Sequence, residues 1–450
     1  MQTGGEAGDD WDKVQGGFRI DSQWSTEDEL TVQGDLYHSN INQLSVIPQT
    51  SFPFNGIEKT TAPSYGGNLL GRLQHTFSPT SEYSLQFYYD YYNRDDVWGK
   101  EGRNTLDLDF QHRFMLLDWH EIVWGFGYRY SHDDFKAGRL MSLTPDSRND
   151  QLYSAFVQDE MTLIDNTLWL TLGSKFEHND YSGFEAQPSA KIMWAPHLQH
   201  RLWAAVSRAV RTPSRAEHDS QLALFFLPPQ TIPYFPYQTP PTELVLQGTP
   251  SYDSEEVLSY EIGYRTTISQ SLSVDITAFY NDYDNLRSHV FGEASFNNGL
   301  LIQPILLSNQ NSAKTYGFEV ATVWQMLDWW RWDANYSLLK ADMDADTLSM
   351  MGASPQQRVS LRGALSLEHD VDLDLWLRYV DSSISIGDVG TVKDYLTMDI
   401  RLAWRPYQGI ELSLVGQNLL DQHHFEYQQE TLTLPTEIDR GMYGKLLWNF

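Results

Sequence analysis

Hydrophobic and polar residues alternate along most of this chain with a period of two. The clearest example covers residues 371 to 379, where one face carries Val371, Leu373, Leu375, Leu377 and Tyr379. The opposite face carries Asp372, Asp374, Trp376 and Arg378. A strand places successive side chains on opposite faces, whereas a helix would mix these two sets. The pattern therefore predicts a protein built from β-strands.

The alternating segments are long, and their connections differ in length from one side to the other. We expect 19 strands, centred near residues 19, 33, 72, 88, 107, 125, 156, 172, 190, 204, 260, 276, 318, 335, 360, 375, 398, 413 and 444. Tight polar turns such as 79–81 and 165–166 alternate with longer loops. The longer loops are expected at 39–65, 93–102, 132–148, 211–252, 284–310, 343–353, 382–391 and 419–436. Strands of about nine to eleven residues, with short turns on one side and long loops on the other, are typical of outer-membrane barrels.

The predicted fold class is therefore all-β, a transmembrane antiparallel β-barrel in the bacterial outer membrane, which the chain crosses many times. The last strand ends in an aromatic residue, and Trp448 and Phe450 lie on the same face of it. Such an ending is similar to the signal read by the barrel assembly machinery. Trp24, Trp404 and Trp448 lie at the short-turn ends of their strands, where an aromatic girdle is expected at the membrane interface. The expected surroundings are the outer membrane and its lipopolysaccharide.

Composition narrows the possible partners and chemistry. The chain has 31 Lys and Arg against 60 Asp and Glu, a formal charge of −29, and this argues against nucleic acid as a main partner. It has no cysteine, which excludes disulfides, thiolate catalysis and cysteine-ligated metal sites. No run of 18 apolar residues exists, so the sequence contains no helical membrane span.

Motifs for catalysis are missing as well. The sequence has no G-x-S-x-G, no P-loop and no H-E-x-x-H, since His120 and Glu121 are not followed by a second histidine at the required spacing. The acidic run at Asp342, Asp344 and Asp346 lacks the glycine and the glutamate of an EF-hand calcium loop. We expect no enzyme, no cofactor and no metal site. A passive porin or a barrel hydrolase remains the alternative interpretation.

Three segments resemble a known family. Residues 187–215, QPSAKIMWAPHLQHRLWAAVSRAVRTPSR, are similar to paired strands that lead into an S-R-A-x-R-x-P junction. Residues 255–265, EEVLSYEIGYR, and residues 415–421, VGQNLLD, are similar to two later elements. Together with the terminal aromatic, their order and spacing resemble the β-barrel domain of TonB-dependent outer-membrane receptors, from about residue 16 to residue 450. The resemblance implies a receptor that takes up a scarce nutrient, such as an iron–siderophore complex, with energy supplied through TonB.

The same resemblance predicts that parts of the receptor are missing. The family's barrel has 22 strands, so 22 − 19 leaves three strands unaccounted for. Because the first and last of 19 alternating strands run in the same direction, they cannot close a barrel by antiparallel pairing. No signal peptide, plug domain or TonB box is recognisable. We therefore expect residues 1–450 to be a partial barrel without its plug, through which TonB would act.

Ligand contacts are expected in the long loops. Loop 211–252 holds 8 of the 19 prolines and a dense aromatic group, Phe225, Phe226, Tyr234, Phe235 and Tyr237. Exposed aromatics on a stiff loop suit the capture of a small-molecule or metal-chelate ligand, although they could equally pack on neighbouring loops or on lipopolysaccharide. His218, His423 and His424 also lie in long loops, where they could contact an iron complex or a haem, or remain simply solvated.

A set of charged residues falls on the polar face of the last strands. Its members are Asp372, Asp374, Arg378, Asp399, Arg401, Arg405 and Glu411. Charged side chains are unfavourable in contact with lipid, so we expect these residues to line a wet lumen. There they would contact the plug or pair with one another.

Overall fold

The computed structural model describes residues 8–49, 54–229, 238–297, 299–344, 354–384, 391–426 and 437–449. Within these ranges the chain forms strands connected by turns and loops, together with one helix of five residues. No helix in this part of the chain is long and apolar enough to cross a membrane.

Nineteen strands follow one another as antiparallel neighbours, and each contains one of the strand centres predicted from the sequence. They are β1 (Trp11–Gln23), β2 (Asp28–Pro48), β3 (Asn55–Ser78), β4 (Ser81–Asp95), β5 (Gly99–Leu116), β6 (His120–Ala137), β8 (Ser147–Ile164), β9 (Leu168–Asn179), β10 (Gly183–His197), β11 (His200–Arg211), β14 (Glu255–Ser269), β15 (Leu272–Phe291), β17 (Leu300–Leu327), β18 (Trp330–Asp344), β19 (Gln357–Leu367), β20 (Val371–Val380), β23 (Tyr395–Tyr407), β24 (Ile410–Gln417) and β27 (Gly441–Trp448). The prediction of 19 long strands is confirmed.

The remaining elements lie in the long connections between these strands. They are β7 (Met141–Leu143), α1 (Arg215–Asp219), β12 (Ser220–Leu227), β13 (Thr242–Gln247), β16 (Ser295–Asn297), β21 (Ser383–Ile384), β22 (Thr391–Val392), β25 (His423–Phe425) and β26 (Glu437–Asp439). Four of them, β7, β12, β13 and β16, join the nineteen long strands in one sheet of 23 strands. Among the described strands the pairing is antiparallel throughout, apart from the parallel pair of β13 and β17.

The two outermost long strands each have one partner in the described part of the chain. β1 pairs with β2, and β27 pairs with β24, but β1 and β27 do not pair with each other. Because the direction alternates through 19 strands, β1 and β27 run the same way, as the parity of the sequence pattern predicts.

The two faces of the sheet differ as the alternation requires. Leu373, Leu375 and Leu377 lie on the face of β20 opposite Asp374 and its charged neighbours. Many large apolar side chains on the corresponding faces of other strands are exposed, including Phe18, Leu36, Phe87, Leu106, Val157 and Leu172. In a membrane barrel such a face contacts lipid, which accounts for its exposure in the protein alone.

Several strands extend further than the sequence suggested. β2 continues to Pro48 and β3 begins at Asn55, so most of the loop expected at 39–65 is a paired hairpin. The loops expected at 93–102, 132–148 and 284–310 are shortened in the same way. Beyond the membrane both faces of a strand can contact water, so pairing continues where the hydrophobic alternation has ended.

Close packing is concentrated at the long-loop end, which we call the outer end. Ile47, Val97 and Leu140 form a buried apolar cluster there, with Trp98 and Leu222 packed against it. Its members come from the β2–β3 hairpin, two further loops and β12. The loops at the outer end therefore form an ordered layer, and the candidate site lies within it.

Candidate functional site

The connection from β11 to β14 begins and ends at neighbouring positions of the barrel sheet. Arg211, the last residue of β11, is the register partner of Glu255, the first residue of β14. Ser214 caps α1 in a complete capping box, in which its hydroxyl accepts from the Glu217 backbone N–H and the Glu217 carboxylate accepts from the Ser214 N–H. The S-x-x-E spacing in the sequence accounts for this short helix.

Arg211 joins both ends of this connection. Its guanidinium donates to Glu217 at 2.7 and 3.0 Å and to Glu255 at 2.8 and 2.9 Å. It also donates to the Tyr252 hydroxyl at 3.0 Å, and that hydroxyl donates to Glu255 at 2.9 Å. We call these four residues the Arg211 clamp. Planar guanidinium groups suit such paired contacts with carboxylates.

Burial gives the Arg211 clamp its electrostatic character. Tyr252 is only 1% exposed, and burial raises the pKa of its phenol. Burial by itself would also raise the pKa of Glu217 and of Glu255. The hydrogen bonds and charge of Arg211, together with hydrogen bonds from Ser214 to Glu217 and from Tyr252 to Glu255, outweigh burial, so both pKa values are lowered. Both carboxylates are therefore held ionised, with Arg211 as their counter-charge.

Gly248 brings the returning chain against α1. Its N–H donates to the Ser220 carbonyl at 2.8 Å, and the next N–H, of Thr249, donates to the Glu217 carbonyl at 3.0 Å. A Cβ atom at Gly248 would lie 2.8 Å from the carbonyl oxygens of Ala216 and Glu217. Only glycine allows this approach without displacement of the backbone.

A second group of charges fixes α1 to the barrel strands. Arg215 forms ion pairs with Asp133 of β6 and with Asp219, 3.5 Å away, and it donates to the Pro145 carbonyl. Arg148 of β8 pairs with Asp219 at 2.9 Å. Asp133, Arg215 and Asp219 are buried, and we call these three residues together with Arg148 the α1 cluster.

His218 is packed into the α1 cluster. Its Nδ1 lies 2.7 Å from Asp219 and 3.2 Å from an Arg148 nitrogen, and its ring meets the edge of the Tyr181 ring at 5.4 Å. The structure therefore places it among protein groups instead of in a solvated loop. Its expected contact with a ligand stays a prediction.

Beyond α1, the connection forms a sheet across several loops, which we call the loop sheet. β12 pairs with β7 on one side and with β13 on the other, and β13 pairs in parallel with residues 301–306 of β17. The loop expected at 211–252 thus contains ordered elements that link the connection after β6 to the start of β17. No sequence pattern predicts this arrangement, because β12 and β13 are short and lack clear alternation.

Two of the five candidate aromatics lie in described positions. Phe225 is 39% exposed, but Phe226 is only 7% exposed, so Phe226 does not form part of the exposed surface that we expected. Antiparallel pairing with β13, shifted by a bulge between Ala223 and Phe225, turns it inward. Tyr234, Phe235 and Tyr237 lie outside the described residues, and their role stays a prediction.

The two C-terminal histidines lie in β25, which pairs with β26. His423 Nδ1 is 2.9 Å from Glu437. His424 is buried, which differs from the solvated alternative. Its Nδ1 lies 3.2 Å from the Asn418 side-chain nitrogen, and its ring lies 4.4 Å from the Tyr395 ring. Over the described ranges, no three acidic or histidine side chains are grouped to hold a metal ion.

The seven charged residues of β20, β23 and β24 pair with one another, and we call them the ion-pair ladder. Arg401 contacts Asp374 at 3.0 Å and Glu411 at 2.6 Å. The other contacts are Arg405 to Glu411 at 3.1 Å, Arg405 to Asp372 at 2.6 Å and Arg378 to Asp399 at 2.6 Å. Their contact with a plug stays a prediction, as does the assembly role of Trp448, which is exposed at the end of β27, and of Phe450, which lies outside the described residues.

The Arg211 clamp was not singled out from the sequence. Arg211 and Glu255 nevertheless belong to two of the three segments that resemble the family, and the fold brings these two segments together as neighbouring strands. Arg208 and Glu256, from the same two segments, pair at 2.8 Å. The shared motifs therefore mark a joint between β11 and β14 at the foot of the long connection.

Comparison with known proteins agrees with this architecture. Residues 2–419 match the family model described as TonB dependent receptor-like, beta-barrel. A ferric enterobactin receptor of Pseudomonas aeruginosa is 22% identical over 342 residues, which cover 72% of this chain and 43% of that receptor. The chain thus spans less than half the length of this curated relative.

Solved structures show the same fold. A mutant of the ferric enterobactin receptor of P. aeruginosa superposes with a TM-score of 0.74 at 15% identity, over 98% of this chain and 69% of the receptor. A siderophore receptor of Acinetobacter baumannii superposes with a TM-score of 0.74 at 17% identity, over 98% of this chain and 71% of that receptor. A copper transporter superposes with a TM-score of 0.74 at 12% identity, over 99% of this chain and 73% of the transporter.

Proposed function

Because this chain belongs to the family of TonB-dependent receptor β-barrels, we propose that it forms the barrel of an outer-membrane receptor for a scarce nutrient, with ferric siderophores as the ligand class. Membership of the family implies the outer membrane as its location and TonB as the partner that supplies energy. The similar proteins are receptors and a transporter, which favours transport over catalysis.

The ordered outer end carries this proposal. The connection from β11 to β14 is fixed at its foot by the Arg211 clamp and the α1 cluster, and it continues into the loop sheet. A surface that is already ordered loses little conformational entropy when a ligand binds, which suits the capture of a dilute chelate. A passive porin would gain nothing from such a surface, because it has no ligand to hold.

The ligand class comes from the relatives. One is a receptor for ferric enterobactin and another is a siderophore receptor. Capture would occur on the loops, and the polar face that carries the ion-pair ladder would line the path through the barrel. We expect the candidate aromatics of loop 211–252 to contribute more to capture than the ladder, since buried aromatic contacts dominate binding while solvated ion pairs contribute little.

Uptake of radioactive iron tests the proposal. The complete reading frame that encodes this sequence is expressed in bacteria without their own siderophore receptors, and cells are supplied with ferric catecholate and ferric hydroxamate siderophores. We expect uptake of at least one chelate, with loss of uptake when TonB is deleted.

Two results would contradict the proposal. Uptake that persists without TonB and rises linearly with concentration would indicate a porin. Absence of uptake for all chelates, from a protein that reaches the outer membrane folded, would exclude ferric siderophores as the ligand class.

A further inference from the structure

A cavity of about 390 Å³ lies on one face of the loop sheet, apart from the Arg211 clamp and the candidate histidines. Six hydrogen-bonding side chains line it, and they are Arg139, Ser142, Gln221, Glu243, Gln247 and Ser295. Ala223, Val245, Ile302 and Pro304 supply its apolar wall. Its volume lies above about 300 Å³, within the usual range for small-molecule sites, and polar groups make up more of its lining than apolar ones.

The strand registers explain how these side chains meet. Glu243, Val245 and Gln247 alternate along β13 and therefore share one face. Gln221 of β12 lies directly opposite Gln247, and Ile302 of β17 lies opposite Glu243. The cavity is thus a product of β12, β13 and β17 pairing side by side.

Backbone hydrogen bonds fix the walls. The Ala223 N–H donates to the Leu140 carbonyl at 2.9 Å, and the Leu301 N–H donates to the Pro241 carbonyl at 3.0 Å. The Gly292 N–H donates to the Pro304 carbonyl at 2.9 Å. The cavity therefore has a defined shape before any ligand arrives.

Most of the polar side chains that line the cavity have no polar partner among the described residues. Apart from Arg139, none of them makes a side-chain hydrogen bond or an ion pair with the part of the chain that the structure describes. Arg139, the cationic residue at the cavity, pairs with Glu58 at 2.6 and 3.0 Å. Glu243 is half-buried, and this partial loss of water raises the pKa of its carboxyl group.

We propose that this cavity binds a small ligand through an amino group, which pairs as an ammonium ion with Glu243 while Gln221 and Gln247 accept or donate the remaining hydrogen bonds. An anionic group would meet an uncompensated carboxylate and is disfavoured there. An ammonium ion restores the interactions that the carboxylate lost on burial. The inference rests on the proposed function and narrows it to iron chelates with a free amine.

A matched pair of probes tests the inference on the full-length receptor. The ferric complex of desferrioxamine B carries a terminal amine, and its N-acetyl derivative has the same iron centre without that charge. We expect the amine form to bind at least tenfold more tightly in a direct titration, which corresponds to about 1.4 kcal/mol.

Two variants locate the effect. Glu243→Gln should abolish the preference for the amine form, while Glu293→Gln, which removes an exposed carboxylate from a neighbouring loop, should preserve it. Equal binding of the two probes, failure of both to bind, or an unchanged preference in Glu243→Gln would overturn the inference. The proposed function would survive each of these results if the same receptor still takes up another ferric siderophore through TonB.

Discussion

The α1 cluster and the ion-pair ladder use the same chemistry, with arginines held between carboxylates, but water reaches them to very different degrees. In the α1 cluster the side chains of Arg215 and Asp133 are 5% and 3% exposed. In the ladder those of Arg401 and Arg405 are 33% and 44% exposed. Each central arginine contacts two carboxylates, so exposure is the main difference between the two groups.

This difference in exposure decides how much each group of ion pairs contributes to the stability of the folded protein. Removal of one partner from a buried ion pair leaves an unpaired charge out of water, which costs about 3–5 kcal/mol. Exposed pairs contribute about 0–1 kcal/mol, because water replaces the lost partner. We therefore expect the α1 cluster to hold the outer loops in place and the ladder to leave stability almost unchanged.

Arg215→Gln should have the largest effect. It leaves Asp133 and Asp219 buried with one counter-charge fewer. The free energy of opening the outer loops should therefore fall by about 3 kcal/mol or more. Protease cleavage within residues 212–254 reports how often these loops open, and cleavage should accelerate accordingly. Cleavage as slow as in the unmodified protein would show that the α1 cluster does not hold the loops.

Replacement of Arg211 should have the next largest effect. Arg211→Gln removes charged hydrogen bonds to Glu217 and Glu255. The free energy of opening the outer loops, measured by the same cleavage assay, should fall by about 2 kcal/mol. Arg211→Lys should recover only part of it, because an ammonium group cannot reach both carboxylates with paired donors. Full recovery with lysine would mean that charge alone matters.

The clamp should also respond to acid. The pKa values of Glu217 and Glu255 are lower in the folded protein than their ordinary value of 4.5. The two ionised carboxylates therefore stabilise the folded protein fully above pH 4.5, and this contribution is lost as the pH falls from 4.5 through their lower pKa values in the folded protein. Cleavage by an acid-active protease should accelerate over that range in the unmodified protein and much less in Arg211→Gln.

The loop aromatics test whether the outer end also binds the ligand. Replacement of Phe225, Tyr234, Phe235 and Tyr237 by alanine, with buried Phe226 retained, should weaken siderophore binding at least tenfold, or about 1.4 kcal/mol. The folded barrel should survive, because the sequence predicts that loop 211–252 lies outside the membrane. Unchanged affinity would place the binding surface elsewhere.

Arg401→Gln should have the smallest effect. It breaks contacts with Asp374 at 3.0 Å and Glu411 at 2.6 Å, yet the loss of unfolding free energy in a urea titration of the folded barrel should stay below about 1 kcal/mol. A loss near that of Arg215→Gln would show that the ladder lies in a drier environment than its exposure indicates.

The sequence predicted the strands well because lipid on one side and a polar interior on the other impose strict alternation, as in β20. It predicted the outer end poorly, because that constraint ends at the membrane surface. There β2 and β3 continue as a hairpin through polar residues, and β12 and β13 pair with distant strands. The ladder was visible in the sequence as charges that alternate along strands. The α1 cluster joins Asp133 of β6, Arg148 of β8 and Arg215 of α1, which are separated in the sequence and follow no periodic pattern.

The position of the Arg211 clamp has a consequence for protein engineering. Residues 212–254 leave and re-enter the barrel between register partners, so their two ends already stand at the spacing of an ordinary hairpin. An exchange of this insertion as a cassette, spliced at Arg211 and Glu255, is therefore compatible with the register of β11 and β14. The incoming loop must supply new partners for Arg211, Asp133 and Arg148, because α1 and its charged side chains leave with the insertion.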